Sequence, residues 1–363
     1  HATGVDAALV GYFVSTVYGF GIISAILSPS LIHRYGAVRI SQVIMLSVLA
    51  MLAIAALGGL WAFAIGAIVL GRTYGATAPA STHLLVPRAK ATSLNLMLSI
   101  RQIGVPLGGV LAALLLPPIV VAAGWQPALL LQLAPSLVLF LLLELPRRRW
   151  DADRNPRHAF SLQNALRPLQ LLRDSAELRR LSFAGFVYSG IQLCFIAFMT
   201  VHLTRAVGLD LIQAGRALAV YQAAGVISRP IWGWIADRFL SARWLLVLQG
   251  FGMAAAAVAA GEFSPATPGL VVLAVCALAG ATASGFTGIA YAEYARLGGS
   301  RRTEATGLGA SAMFSGVMLL PSGFSLAVGL TQNYVAAYGG IAVLACISAA
   351  LLALPLRAKA DRA

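Results

Sequence analysis

The chain has 363 residues, 59% of them hydrophobic and only 10% charged, against roughly 45–50% and about 25% in soluble domains. That balance excludes a soluble core of this size and reads as a polytopic membrane protein. A net charge of +14 would point to nucleic acid in a soluble protein. Here the basic residues fall between apolar stretches, so a cytoplasmic membrane face explains them and no nucleic-acid partner is expected.

Windows of about 20 apolar residues give eleven spans in chain order: 7–32, 38–57, 61–86, 92–115, 122–145, 181–204, 211–236, 244–261, 268–293, 304–329 and 334–356. Glycine and proline are frequent inside them, which a membrane helix tolerates because neighbours re-satisfy the freed backbone groups. Cys194, Cys276 and Cys346 all lie within spans, which reads as packing rather than a disulfide framework or metal site. The sequence opens on His1 without a signal-peptide pattern, so its natural start is expected upstream.

A shift of 204 residues superimposes Asp6 on Asp210, Arg34 on Arg238 and Arg39 on Arg243. The second copy has a span before it, 181–204, and the first copy has none. One N-terminal helix is therefore expected to be missing, giving twelve helices as two six-helix halves. The expected divisions are a half at 1–145, a basic linker at 146–180 and a half at 181–363. Such repeats are a known transporter arrangement.

Placing the joints 33–39, 87–91, 146–180, 237–243 and 294–303 and the tail on one side accounts for all but five of the 26 basic residues. The exceptions are Arg72, Arg101 and Arg229 within spans, and Arg205 and Arg216 opposite. By the positive-inside rule the rich side, with linker and C-terminus, is expected to be cytoplasmic. The later linker, F-S-L-Q-N-A-L-R-P-L-Q-L-L, is amphipathic enough to lie on the membrane surface, and a plain basic linker is favoured over a regulatory or phospholipid-binding role.

The most informative joint is R-P-I-W-G-W-I-A-D-R-F-L-S-A-R (229–243). Its acid can accept from N–H groups at the start of a helix or from an arginine across the joint. Gly233, Ala236, Asp237 and Arg238 match in register, and the pattern resembles the loop signature G-x-L-a-D-r-x-G-r-r of the major facilitator superfamily of secondary transporters. Leu240 replaces the second glycine and Arg243 falls one residue late. The first-half copy, S-P-S-L-I-H-R-Y-G-A-V-R (28–39), holds Gly36, Arg34 and Arg39, but His33 stands in place of the acid. If that acid latches a closed state, the first-half latch is weakened.

Three further stretches extend the resemblance: G-R-T-Y-G (71–75), G-V-P-L-G-G (104–109) and G-W-Q-P (124–127). The stretch at 104–109 resembles a motif associated with antiporters, and tight packing through small residues explains it equally. Y-A-E-Y-A-R (291–296) and T-E-A-T-G (303–307) resemble a bacterial subset of cyanate-permease-like and organic-anion carriers. The resemblance implies an all-α fold of two six-helix halves, with spans 1, 3, 4, 6, 7, 9 and 10 lining a central cavity. Arg72, Arg101 and Arg229 all fall on those spans.

Charges within a bilayer are costly, so each asks for an explanation. Arg101 lies about 15 Å from the basic joint at 1.5 Å per residue and, with Gln102, is the first candidate for gripping an anionic group. Arg72, Gln192 and Gln222 are the other candidate ligands; a structural arginine or a helix contact is the alternative in each case. Arg229 reads as part of a gate with Gly233, Asp237, Arg238 and Arg243, matched in the first half by Gly36 and Arg39. Glu293 would either titrate during transport or pair with Arg296 or Arg229, and pairing is favoured. Tyr188 and Tyr221 fall near mid-span, whereas His83 and His202 lie towards span ends and read as bland.

No H-E-x-x-H, P-loop or G-x-S-x-G occurs, so neither an enzyme nor an ATP-driven pump is expected. The expectation is a multi-pass carrier of a bacterial inner membrane, acting as a monomer without metal or cofactor. It would move a small, anionic solute by alternating access, coupled to a proton or counter-ion. The runner-up is a proton-coupled drug or metabolite exporter, and a non-transporting membrane receptor comes third.

Overall fold

The computed structural model describes residues 10–158, 166–205 and 207–355. Of the sequence features above, Asp6, linker residues 159–165 and the tail 356–363 lie outside these. The described chain is all-α. In order it forms α1 (Val10–Tyr35), α2 (Ala37–Ala55), α3 (Gly59–Tyr74), α4 (Thr77–Leu85), α5 (Leu94–Ala123), α6 (Trp125–Leu131), α7 (Leu133–Leu142) and α8 (Glu144–Trp150). After the linker come α9 (Arg167–Asp174), α10 (Ala176–Arg205), α11 (Leu211–Arg238), α12 (Ala242–Gly261), α13 (Gly269–Ala279), α14 (Thr287–Gly298), α15 (Arg302–Thr331) and α16 (Tyr334–Ala353).

Nine stretches among the described residues are long and apolar enough to cross a membrane, against the eleven expected. Two features account for the difference. Helix α11 carries Arg216, Arg229, Asp237 and Arg238 and is not among the nine. Gly269–Thr331 counts as one stretch of 63 residues, although the short 3₁₀ turn Gly299–Arg301 divides it into two of the expected spans. Large apolar side chains such as Val121 (89% exposed) and Leu145 (80%) face outward, as a hydrocarbon solvent allows. This is a multi-pass membrane protein.

The chain forms two compact units. The first comprises His1–Arg88, Leu107–Gln170 and Gly298–Ser315, and the second Ala89–Pro106, Leu171–Leu297 and Gly316–Ala363. Two long helices are thus divided, α5 after Pro106 and α15 after Ser315. In the first unit α2 packs on α1, α3, α4, α7 and α8, and Ile32, Val38, Ile40, Ile44, Ala80 and Leu84 form its core. Gly36 turns α1 into α2 with φ +95, a conformation that side-chain-bearing residues rarely adopt.

In the second unit α12 packs along α16, and α11 packs on α13 and the segment after it. Its core is aromatic: Tyr188, Tyr221, Tyr294, Tyr338, Phe195 and Phe286 are all fully buried. Tyr188 meets Phe286 edge-on at 5.5 Å and donates its hydroxyl to the Leu246 carbonyl at 3.1 Å. A phenol in an apolar bundle needs such a partner. Tyr188→Phe should therefore lower the melting temperature in detergent by about 2 °C, through loss of about 1 kcal/mol. A thermal-stability scan of the purified variant checks this.

Candidate functional site

Helix α11 ends in the stretch that the sequence marks as a joint, and its last three turns carry a line of contacts within the second unit. Gly233 is buried against the first turn and a half of α5. A Cβ there would lie 2.7 Å from Leu96 Cα, 2.8 Å from Ser99 Oγ and 2.9 Å from the Asn95 carbonyl. Only a residue without a side chain allows this approach. One turn later, Asp237 accepts from the backbone N–H of Asn95 (3.1 Å) and of Leu96 (2.9 Å), and from Asn95 Nδ2 (2.9 Å). The carboxylate therefore caps α5 from outside the helix, on the positive end of its dipole.

One turn before Gly233, Arg229 is 3% exposed. Its Nε donates to the Ser284 carbonyl (2.9 Å), Nη2 to Ser284 Oγ (3.1 Å) and Nη1 to the Gln102 carbonyl. All three acceptors are neutral, and among the described residues no carboxylate pairs with it. Gly280–Ser284 winds as a π-helix between α13 and α14. Such a segment shifts the i→i−4 ladder and frees carbonyls for other donors. Arg229 takes the one at Ser284, and Trp232 Nε1 takes the one at Ala281 at 2.8 Å. On the opposite flank, Gln192 of α10 approaches Ser284 Oγ at a long 3.5 Å, and the Tyr221 hydroxyl reaches the Gln192 carbonyl at 3.4 Å.

The remaining sequence candidates are distributed as follows. Arg101 is half-buried on α5 beside Gln102, with its guanidinium carbon 5.4 Å from the Tyr291 ring centroid, within cation–π reach. Gln222 is half-buried on α11, and Arg72 is exposed in the last turn of α3, in the first unit. Glu293 is buried and held by Arg296 through two hydrogen bonds, rather than by Arg229. Arg243 turns to the end of α16, donating to the Leu352 and Leu354 carbonyls, and Arg238 lies over Trp234 at 5.9 Å. In the first unit, Gly36 makes the turn between α1 and α2, and Arg39 bonds Gln42 at 2.9 Å. Among the described residues, a Cβ on Gly104, Gly108 or Gly109 meets nothing within 4 Å.

Ser284, Trp232 and the π segment escaped sequence reasoning. The run G-A-T-A-S-G (280–285), small and polar inside an apolar span, was the available signal.

The sequence pattern of the Major Facilitator Superfamily matches residues 1–321 and, in a second match, 181–363. The chain belongs to this superfamily. Nitrate/nitrite transporter NrtP of Nostoc punctiforme is 28% identical over 145 residues, which is 39% of this chain and 28% of NrtP. The match therefore spans little more than a quarter of that relative. Among solved structures, the proton:xylose symporter XylE superposes with a TM-score of 0.73 at 16% identity, covering 96% of this chain and 87% of XylE. The human organic anion transporter MFSD10 gives 0.71 at 17% identity, over 94% and 83%. The fucose:proton symporter FucP of E. coli gives 0.69 at 14%, over 95% and 97%. At such identities these structures speak for the fold.

The Asp237 cap makes a measurable claim. Ser99 is fully buried between Gly233 and Gly288, each of which a Cβ would drive into it. In a background with the three native cysteines replaced, Ser99→Cys should react slowly with maleimide. Adding Asp237→Asn should accelerate labelling about five-fold, the equivalent of about 1 kcal/mol of lost helix-end attraction. Labelling rates in membranes read this directly.

Proposed function

We propose that this superfamily member is a secondary active transporter that moves a small anion across a bacterial inner membrane by alternating access, driven by a proton or a counter-anion. One observation carries the reading. Arg229, buried and facing only neutral acceptors, reaches the carbonyl of Gln102, the residue next to Arg101. Two guanidinium groups are thereby held at neighbouring points of α5. A buried cation of this kind projects a positive potential that water does not quench. Arg101 is the proposed ligand, since its planar fork suits carboxylate or nitrate oxygens, and Gln192, Gln222 and Arg72 are secondary candidates. The sequence likeness to a nitrate/nitrite transporter supports an anionic substrate.

In the same reading, Gly233, Asp237 and Arg229 form a clasp at the cytoplasmic ends of α5 and α11. The clasp holds while Asp237 caps α5, and it must release for substrate to leave on that side. Glu293, already occupied by Arg296, is a fixed structural pair in this scheme rather than the proton carrier.

The test is uptake into proteoliposomes under an imposed pH gradient. Nitrate, cyanate and small carboxylates are offered beside a panel of lipophilic cations. Anion uptake is expected, falling about ten-fold or more in Arg101→Ala, the size of a lost charge-assisted hydrogen bond. Cation uptake that survives the substitution would overturn the anion reading and favour an exporter of cationic compounds.

A further inference from the structure

The two joints related by the 204-residue shift are not built alike. The second-half joint carries its own acid, Asp237. The first-half joint, residues 28–39, contains no acid, and His33 stands at the corresponding place. A carboxylate nevertheless sits there. Asp151, from the start of the linker, accepts from the N–H of Val38 at 2.8 Å and of Arg39 at 3.0 Å, capping α2. It is 4% exposed. The bare Gly36 makes its room, since a Cβ on that residue would lie 2.2 Å from Asp151 Cγ.

The next seven residues continue across the same end of the unit. Asp153 Oδ2 pairs with His83 Nε2 at 2.7 Å, and the other nitrogen of that ring meets Thr303 Oγ1 at 2.8 Å. Asn155 donates its N–H to the His33 carbonyl at 2.8 Å, and His158 Nε2 meets Ser30 Oγ at 3.2 Å. The His33 ring lies 5.7 Å from that of His83 and 5.9 Å from that of His158. Residues 151–158 therefore bind the ends of α1, α2 and α4 and, through His83, the first turn of α15. That turn comes from the other half of the sequence, so the contact joins the halves as Asp237 does at α5.

We infer that residues 151–158 are the first-half gate: a strap from the linker that supplies, through Asp151, the acid the joint lacks. Asp151 is a positioning residue for transport, acting through α2 and the strap and not by touching substrate. The inference rests on the alternating-access reading, and predicts that loosening the strap shifts the population towards molecules open on this side. A carrier with fewer molecules facing outward binds outside substrate with lower apparent affinity.

Thr306, fully buried on α15 one turn beyond Thr303, supplies a reporter that needs no knowledge of the substrate. In the cysteine-free background, Thr306→Cys should be protected from maleimide in inside-out vesicles. Asp151→Asn is expected to raise its labelling rate several-fold while leaving Ser99→Cys, at the other clasp, within about two-fold. In proteoliposomes the same variant should raise the apparent KM for outside substrate several-fold, with a smaller change in kcat. Asp153→Asn, whose carboxylate is 58% exposed, should act in the same direction more weakly and carries the test if Asp151→Asn does not express. A lowered melting temperature with unchanged Thr306→Cys labelling in the variants would make Asp151 a plain helix cap and overturn the inference. Uptake that fails for every anion, with the labelling response intact, would count against the substrate assignment alone.

Discussion

A helix leaves its first N–H groups without partners, and close to hydrocarbon little water is present to take them. Asp237 meets that demand at the start of α5 with three short contacts. Asp237 belongs to the later half of the sequence and α5 to the earlier, so the cap joins residues 142 and 141 positions apart. Its strength is self-limiting. A charged cap contributes about 0.5–2 kcal/mol, and the backbone approach at Gly233 adds dispersion but no further polar bond. Contacts of this size fit the proposed alternating-access function, because substrate binding must be able to offset them.

Arg229 poses the opposite problem, a charge deep in a bundle that no carboxylate pairs with among the described residues. An isolated buried ion is costly, and hydrogen bonds to neutral acceptors recover part of the cost. The π segment is what makes the acceptors available. In a regular helix the Ser284 and Ala281 carbonyls would be committed to the ladder; here they turn to α11 and receive Arg229 and Trp232. Guanidinium and irregular backbone thus satisfy each other. Removing either would leave polar groups of the other buried without these partners, so the two should be regarded as one unit of structure.

What the sequence reveals follows from how far each interaction reaches along the chain. The spans and the glycine-acid-arginine joint are patterns of consecutive residues, and the superfamily match bears out the family that the joint resembles. The π segment is not local. Its five residues read as ordinary helix, and the donors that hold it lie 49 and 55 positions away. Arg243 reads as a joint residue, yet its carbonyl partners at the end of α16 are 109 and 111 positions off. The eleven expected spans and the nine apolar stretches differ where charge and apolar length conflict. Helix α11 carries Arg229 in return for contacts that only the folded chain supplies.

The same logic explains how a joint can lose its acid and remain capped. The N–H groups at the start of α2 need an acceptor wherever it originates, and the sequence offers none nearby. Asp151 reaches them across 113 and 112 positions, because α8 returns the chain to the end of the unit at which α2 begins. A carboxylate from the linker has a property that one within the joint lacks: it can leave without unwinding either helix. The Asp237 cap is tied to the end of α11 and moves with that helix. The Asp151 cap follows directly on α8, its own N–H bonded to the Arg147 carbonyl, and leads into an irregular segment held by a histidine pair and two further polar contacts. The same physical requirement is thus met at two places by acids of different origin, Asp237 at the end of α11 and Asp151 at the end of α8.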